Sequence, residues 1–157
     1  MPTRNPPPSA APDATAPGLL QLDNQLCFAL YSTSLAMTKV YKPLLAALGL
    51  TYPQYLVMLA LWQDDGLMVS ELGARLFLDS GTLTPLLKRL EAAGLVSRLR
   101  DTQDERRVRL QLTASGRRLK ARAARIPACI MQATQSKLPE LSALTRDIQA
   151  LRERLTA

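Results

Sequence analysis

Residues 70–112 read SELGARLFLDSGTLTPLLKRLEAAGLVSRLRDTQDERRVRLQL. The opening segment, residues 70–76, is typical of a short helix, and a turn follows over residues 77–80. A second helix is predicted over residues 81–93, because its leucines recur at steps of three and four residues. Those leucines are Leu83, Leu86, Leu87 and Leu90. Gly94 then ends this helix, so the stretch predicts a helix–turn–helix.

The periodicity changes after Gly94, where apolar and polar residues begin to alternate. Residues 95–100 and 107–112 alternate in part, and the segment between them, residues 101–106, is polar throughout. Two strands joined by a charged hairpin explain this pattern. Helix, turn, helix, glycine and basic hairpin in this order are typical of a winged helix–turn–helix, whose second helix enters the DNA major groove. We therefore predict a mainly α-helical fold with a small β wing.

A first helix is predicted upstream of this stretch, within residues 22–48. Asp23 or Asn24 can cap it, because short polar side chains accept from the free amides of a helix start. Pro43 should end or kink this helix, and Gly49 should stop it.

Three further helices complete the expected fold. The second helix of the chain should begin at Thr51, which has capping-box spacing with Gln54. A long helix is predicted over residues 116–135, with Pro127 as a possible kink. A last helix, over residues 139–155, carries leucines and an isoleucine along one face.

Proline marks the N-terminal segment. Residues 1–18 hold six of the eleven prolines of the chain, and such a segment can neither propagate a helix nor bury much apolar surface. We predict a disordered tail there, followed by one domain over residues 19–157. No apolar run approaches the ~18 residues of a membrane span, and no apolar segment follows Arg4 as it would in a signal peptide. We therefore expect a cytoplasmic protein that does not enter a membrane.

Positive charge is concentrated in one part of the chain. The net charge is +7, and residues 75–125 hold thirteen lysines and arginines against five acidic residues. Such a segment is typical of a surface that binds nucleic acid, although a solvated basic surface would give the same count. The end of the turn over residues 77–80, the exposed face of the helix predicted over residues 81–93 and the hairpin tip carry the side chains that we predict to contact DNA. They are Ser80, Thr82, Thr84, Lys88, Arg89, Arg106 and Arg107.

The chain lacks the residues that metal sites and acid–base catalytic sites most often use. The chain has no histidine and two cysteines, Cys27 and Cys129. The commonest metal ligand and the commonest general base are therefore missing, and two cysteines so far apart do not make a zinc site. We predict no metal, no cofactor and no catalytic residue, in a protein that is not an enzyme.

Cys27 is expected three or four residues after the cap of the first helix, where the helix dipole favours a thiolate, whereas burial would oppose it. Tyr31 lies one turn further on, while Tyr41 would lie ~21 Å away along a continuous helix. Tyr41 could therefore reach only the partner subunit's Cys27, in a dimer with antiparallel first helices. On the residues alone, a small buried cysteine and tyrosines at the rim of the core are the commoner interpretation.

Five motifs resemble the MarR family of transcription regulators, over about residues 20–155. The motifs are SELG at 70–73, DSGTLT at 79–84, LEAAGLV at 90–96, DERR at 104–107 and LQLT at 110–113. The resemblance implies a homodimer through helices within residues 22–48 and 116–155, with a DNA-binding region over residues 51–113. Each subunit would place one helix in a palindromic operator of double-stranded DNA. The resemblance also implies that Asp104 steadies the hairpin tip while Arg106 enters the minor groove.

The thiol residues resemble the organic hydroperoxide sensors within that family. The resemblance rests on Cys27 with Tyr31, Tyr41 and Tyr52, and on the segments YPQYL at 52–56 and LDSGTLTPLLKR at 78–89. It implies that the tyrosines hold a reactive thiolate, and that Cys129 is the resolving cysteine of the two-cysteine members. An organic hydroperoxide would then oxidise Cys27, a disulfide with the partner subunit's Cys129 would form, and the repressor would leave its DNA.

Three other functions remain open on the sequence. A MarR-type repressor released by a small aromatic ligand, bound non-covalently, would share the fold and leave Cys27 inert. A thiol peroxidase would also use a reactive cysteine, but the helix–turn–helix order and the lack of a βαβ pattern oppose it. A structural or scaffold protein is the third. Replacing Cys27 separates the sensor from the first rival, and catalytic peroxide turnover would identify a peroxidase.

Overall fold

A computed structural model describes residues 18–157. The predicted disordered tail lies outside the described residues, apart from Gly18, which is part of a turn. The chain divides into two compact units, one ending at Met37 and one beginning at Thr38.

The first unit contains a short 3-10 helix, Leu22–Asn24, ahead of the first α-helix. The cap that we predicted at Asp23 or Asn24 is wrong, because α1 begins only at Leu26. The side-chain amide of Asn24 instead donates a hydrogen bond of 2.9 Å back to the carbonyl oxygen of Gly18. Asn24 therefore closes a turn that precedes the helix.

Helix α1 runs without interruption from Leu26 to Ala46. Pro43 lies inside it and does not end it, since the missing amide costs the helix one hydrogen bond on an exposed face. The predicted stop is confirmed: Gly49 has a φ of 70°, and the amide of Leu50 donates back to the carbonyl oxygen of Leu45.

Helix α2, Tyr52–Gln63, is the most buried helix of the second unit. Its capping box is present as predicted: the hydroxyl of Thr51 accepts from the amide of Gln54, whose side chain accepts from the amide of Thr51 at 2.9 Å. Apolar residues on nearly every side of α2 are buried, whereas Leu59 is exposed. Helix α2 therefore packs against the helices Val69–Leu76, Ser80–Ala92 and Ala114–Ala123 and the strand Val108–Leu112.

Helices α3, Val69–Leu76, and α4, Ser80–Ala92, form the predicted helix–turn–helix. Phe77 turns the chain between them in a left-handed conformation, and Asp79 caps α4. The predicted leucine stripe of α4 is confirmed, because all four of its members are buried. The stripe anchors α4 and leaves the opposite face of this helix exposed.

The wing is a two-stranded antiparallel hairpin of β1, Val96–Arg100, and β2, Val108–Leu112. Val96 pairs with Leu112 at its root and Arg100 with Val108 near its tip. The amide of Leu110 donates to the carbonyl oxygen of Leu67, which ties β2 to the segment before α3.

The chain continues through α5, Ala114–Ala123, α6, Ile126–Thr134, and α7, Leu138–Thr156. The helix that we predicted over residues 116–135, with a possible kink at Pro127, is in fact two helices, α5 and α6, which are separated just before this proline. Pro127 explains the break, since it has no amide and its ring collides with the carbonyl four residues earlier. None of the residues of α7 is buried.

Candidate DNA interface and thiol site

The start of α4 is fixed by Asp79. Its carboxylate accepts from the amide of Thr82 at 2.7 Å, and this hydrogen bond lowers the pKa of Asp79 below its ordinary value. Ser80 and Thr82 are exposed in this first turn. The hydroxyl of Thr84 donates to the carbonyl oxygen of Ser80 at 2.7 Å, so its proton is already used within the helix. Thr84 can therefore meet DNA as an acceptor or through its methyl group.

The basic side chains that we predicted to contact DNA take no part in the ion pairs of the described residues. Within residues 18–157, the ion pairs join Arg75 to Asp64, Arg98 to Glu91, and Arg117 to Asp65. The four predicted DNA-contacting cations take no part in these pairs. They are Lys88, Arg89, Arg106 and Arg107, and all four are exposed. Unpaired exposed cations are the groups that bind the DNA backbone.

The wing tip is ordered by Asp104. Its carboxylate accepts from the amide of Arg106 at 3.0 Å, and its carbonyl oxygen accepts from the amide of Arg107 at 2.9 Å. The carbonyl oxygen of Arg107 in turn accepts from the amide of Asp101 at 2.8 Å. These bonds hold the backbone of the tip while leaving both arginine side chains exposed.

The structure brings the wing tip and the start of α4 to one cleft. This cleft has a volume of about 410 Å³, and Ser80, Arg106 and Arg107 all line it. Ser70 from α3 lines it as well. Residues of the helix–turn–helix and of the wing therefore line the same space.

The two thiols are free and differ in environment. Cys27 is exposed, whereas Cys129, in α6, is partly buried. Cys27 is the second residue of α1, closer to the helix start than the three or four residues that we predicted. Tyr31, one turn along α1 in the same unit, has 64% of its surface exposed.

The second unit brings Tyr41 and Tyr52 together. Their ring centroids are 4.9 Å apart with an interplanar angle of 54°. Burial, with Tyr52 and Tyr55 close by, raises the pKa of Tyr41 to about 12, and burial also raises the pKa of Tyr52. Both hydroxyls therefore stay protonated at neutral pH and can donate hydrogen bonds to an anion.

Tyr55 is a third member of this cluster that sequence reasoning did not select. Its ring centroid lies 6.0 Å from that of Tyr41 and 6.4 Å from that of Tyr52. Burial raises its pKa. The signal was present, because Tyr52 and Tyr55 are three residues apart on a predicted helix and so share a face.

Comparison with known proteins assigns the family. Residues 39–123 match the family described as transcriptional regulator SarA/Rot, which is more than half of the chain. The HTH-type transcriptional regulator TtmR of Methylorubrum extorquens is 52% identical over 136 residues, 87% of this chain and 70% of that protein. The organic hydroperoxide resistance transcriptional regulator of Bacillus subtilis is 48% identical over 136 residues, 87% of this chain and 92% of that protein. The chain belongs to the MarR-type transcriptional regulators.

The solved structures agree with this MarR-type assignment. AbfR of Staphylococcus epidermidis, in its reduced form bound to DNA, is 34% identical with a TM-score of 0.77, covering 90% of this chain and 99% of AbfR. The structure of AbfR with its disulfide formed is also 34% identical and has a TM-score of 0.61. It covers 87% of this chain and 93% of the AbfR chain. The predicted winged helix–turn–helix fold is therefore confirmed. Over residues 18–157, none of the helices has both the length and the apolar character needed to cross a membrane.

Proposed function

We propose that this regulator is a homodimeric repressor that senses organic hydroperoxides by oxidation of Cys27. The observation that carries the proposal is an exposed thiol in the first turn of a 21-residue helix, in a chain that also holds a pair of protonated, partly buried tyrosines. Its relatives include a regulator named for organic hydroperoxide resistance and a regulator solved in reduced and disulfide-formed states.

The second copy is proposed to cover the apolar faces of α1 and α7. Leu26, Phe28 and Leu35 are exposed on α1. Exposed apolar residues on α7 are Leu138, Leu144, Ile148 and Leu155. Apolar stripes of this length usually mark an interface between proteins. We assign dimerisation to residues 22–48 and 116–155, and DNA binding to residues 51–113.

DNA reading is assigned to α4 and the wing. We propose that α4 enters the major groove of each half of a palindromic operator, with Thr82, Lys88 and Arg89 toward the DNA. The wing tip would reach the adjacent minor groove with Arg106, held by Asp104. A dimer spaces two such helices to fit two half-sites, so a small change in their separation abolishes specific binding.

The proposed chemistry begins at the Cys27 sulfur. The thiolate attacks one oxygen of the hydroperoxide, the O–O bond breaks, and the other oxygen leaves as an alkoxide that takes a proton to become an alcohol. Sulfur is oxidised to sulfenic acid as the peroxide is reduced. The thiol of the partner subunit's Cys129 then attacks this sulfur, an S–S bond forms, and water leaves.

The tyrosine pair is proposed to assist this step across the dimer. We expect the hydroxyls of Tyr41 and Tyr52 to donate to the sulfur of the partner subunit's Cys27, which stabilises the thiolate. Tyr31, one turn from Cys27 on the same helix, is assigned to the same thiol site.

Operator binding tests the proposal. Fluorescence anisotropy is measured on a palindromic fragment from the chain's own promoter region, at a fixed salt concentration. Stoichiometric cumene hydroperoxide is then added, followed by dithiothreitol, with Cys27→Ser alongside. We expect reversible loss of binding in the wild type and none in the variant. Binding that ignores the oxidant in both proteins would overturn redox sensing and favour release by a non-covalent aromatic ligand.

A further inference from the structure

The tyrosine cluster continues along α2 to Trp62. Tyr55 is 4% exposed, and its ring meets the indole of Trp62 edge-on, with centroids 6.4 Å apart and an interplanar angle of 68°. Tyr55 also contacts both Tyr41 and Tyr52. One buried ring therefore joins the two tyrosines near the N-terminus of α2 to the indole near its C-terminus.

Trp62 is hydrogen-bonded to the start of α5. Its indole N–H donates to the carbonyl oxygen of Gly116 at 2.9 Å, across 54 residues of sequence. The ammonium group of Lys120 donates to the carbonyl oxygen of Trp62 at 3.3 Å. Two bonds in opposite directions thus fasten the end of α2 to α5.

Gly116 lies against the root of the wing. The Leu95 carbonyl stands where a Cβ on Gly116 would lie, and the same carbonyl accepts from the amide of Thr113 at 3.0 Å. The hydroxyl of Thr113 donates to the carbonyl oxygen of Gly94 at 2.6 Å and accepts from the amide of Gly116. Any movement of Gly116 is therefore passed to the residues that begin β1 and end β2.

The turn after α2 adds a further tie to the wing. Asp65 accepts from the amide of Leu112 at 2.9 Å and pairs with Arg117 at 3.2 Å. A buried, tightly packed helix transmits displacement along its length because its core contacts have little free space. The C-terminal end of α2 and the wing root are in this way bonded into one block.

From these contacts we propose that Tyr55 and Trp62 are positioning residues that couple the tyrosine pair to the wing. A change in what Tyr41 and Tyr52 bind displaces α2, and the bond from Trp62 to Gly116 carries that displacement to the hairpin. The wing tip with Arg106 moves as a consequence. This inference rests on the proposed hydroperoxide sensing, since it concerns how oxidation of Cys27 changes the position of the DNA-binding wing.

Replacing the indole donor tests the coupling. Trp62→Phe keeps an aromatic ring beside Tyr55 and removes the N–H that Gly116 accepts. The matched control is Arg122→Met, which also removes a long-range bond from α5 to a backbone carbonyl, that of Ala47 at 2.6 Å, away from the route to the wing. For each protein, the Kd for operator DNA is measured in the reduced state and after cumene hydroperoxide, with oxidation of Cys27 followed by intact mass.

We expect Trp62→Phe to bind DNA normally when reduced and to be oxidised as fast as the wild type. Its ratio of oxidised to reduced Kd should fall at least about five-fold, the lower end of ordinary allosteric couplings. The control variant should keep the wild-type ratio. An unchanged ratio in Trp62→Phe, with a responsive wild type, would overturn the coupling alone. A wild type that ignores the oxidant would overturn the proposed function instead.

A second measurement needs no variant and covers the case in which Trp62→Phe does not fold. Amide hydrogen exchange of the wild type is compared before and after oxidation. The amides of Thr113 and Gly116 should exchange faster in the oxidised protein, because the displacement that Trp62 passes to Gly116 strains the hydrogen bonds that these amides make at the wing root. The amide of Leu50, bonded at the end of α1, is the reference. Unchanged exchange at the wing root would contradict the inference.

Discussion

The backbone carbonyl of Leu95 occupies the space in which a side chain at Gly116 would begin. Gly116 is buried in the first turn of α5, and its amide is held by the hydroxyl of Thr113 at 3.0 Å. The turn that starts β1 and the turn that starts α5 therefore pass each other at backbone contact. Glycine is required at position 116 because any side chain would collide with the Leu95 carbonyl, although alanine is otherwise preferred inside a helix.

Gly116→Ala is expected to destabilise the fold by about 3 kcal/mol, because the methyl group must displace backbone. Gly49→Ala is the matched control, since no atom lies within 4 Å of the added Cβ and only the φ of 70° opposes it. We expect a loss of about 1 kcal/mol there. Urea denaturation of both variants measures the difference, and equal losses would contradict the close approach.

Arg106→Ala should weaken operator binding and reduce the salt dependence of log Kd by about one unit of slope. Arg106 is exposed at the wing tip, whose backbone Asp104 holds in place. Arg106 takes part in none of the ion pairs found within the described part of the chain. Arg146→Ala, an exposed change on α7, is the control for lost charge. Anisotropy titrations across a salt series measure both, and identical slopes for the two variants would rule out a specific wing contact.

The helix–turn–helix and the wing could be predicted because their signals are local. The leucine stripe of α4 repeats within one helix, and the alternation of β2 repeats within one strand. The Thr51 capping box likewise needs only a residue three positions away. Each of these patterns is set by the geometry of one element, so no knowledge of packing was needed.

The remaining features depend on contacts between distant residues. Tyr41 meets Tyr52 across the turn that follows α1, and Trp62 meets Gly116 across 54 residues. Periodicity does not encode such pairs. The separation of α5 from α6 was predicted only as a possible kink at Pro127, because a proline is found both at kinks inside a helix and in the first turn of a new helix.

Tyr41 should make stability depend on pH in alkaline solution. Its pKa is raised from 10.0 to about 12, so the folded chain holds this proton more tightly than the unfolded chain. The corresponding stability is fully present below pH 10.0 and is lost as the pH rises toward 12. Thermal melts from pH 8 to 12, with tyrosinate absorbance alongside, measure this loss.

Tyr41→Phe should make the loss of stability above pH 10.0 shallower, because the titrating hydroxyl is gone while the ring remains. Tyr31→Phe is the control for removing a hydroxyl from an exposed ring. If both variants follow the wild-type curve, the alkaline transition has another origin.

Cys129→Ser separates oxidation from crosslinking. Cys129 is partly buried in α6 between Ile126 and Ile130, which are buried, so serine should fit with little strain. We expect the variant still to release DNA through Cys27 but to form no crosslinked dimer on non-reducing gels. Without a resolving thiol, excess peroxide should carry Cys27 on to sulfinic acid, which dithiothreitol does not reverse. Intact mass detects that product, with Cys27→Ser as the unreactive control. A crosslink that persists in Cys129→Ser would show that Cys27 pairs with itself across the dimer, and the resolving role of Cys129 would be wrong.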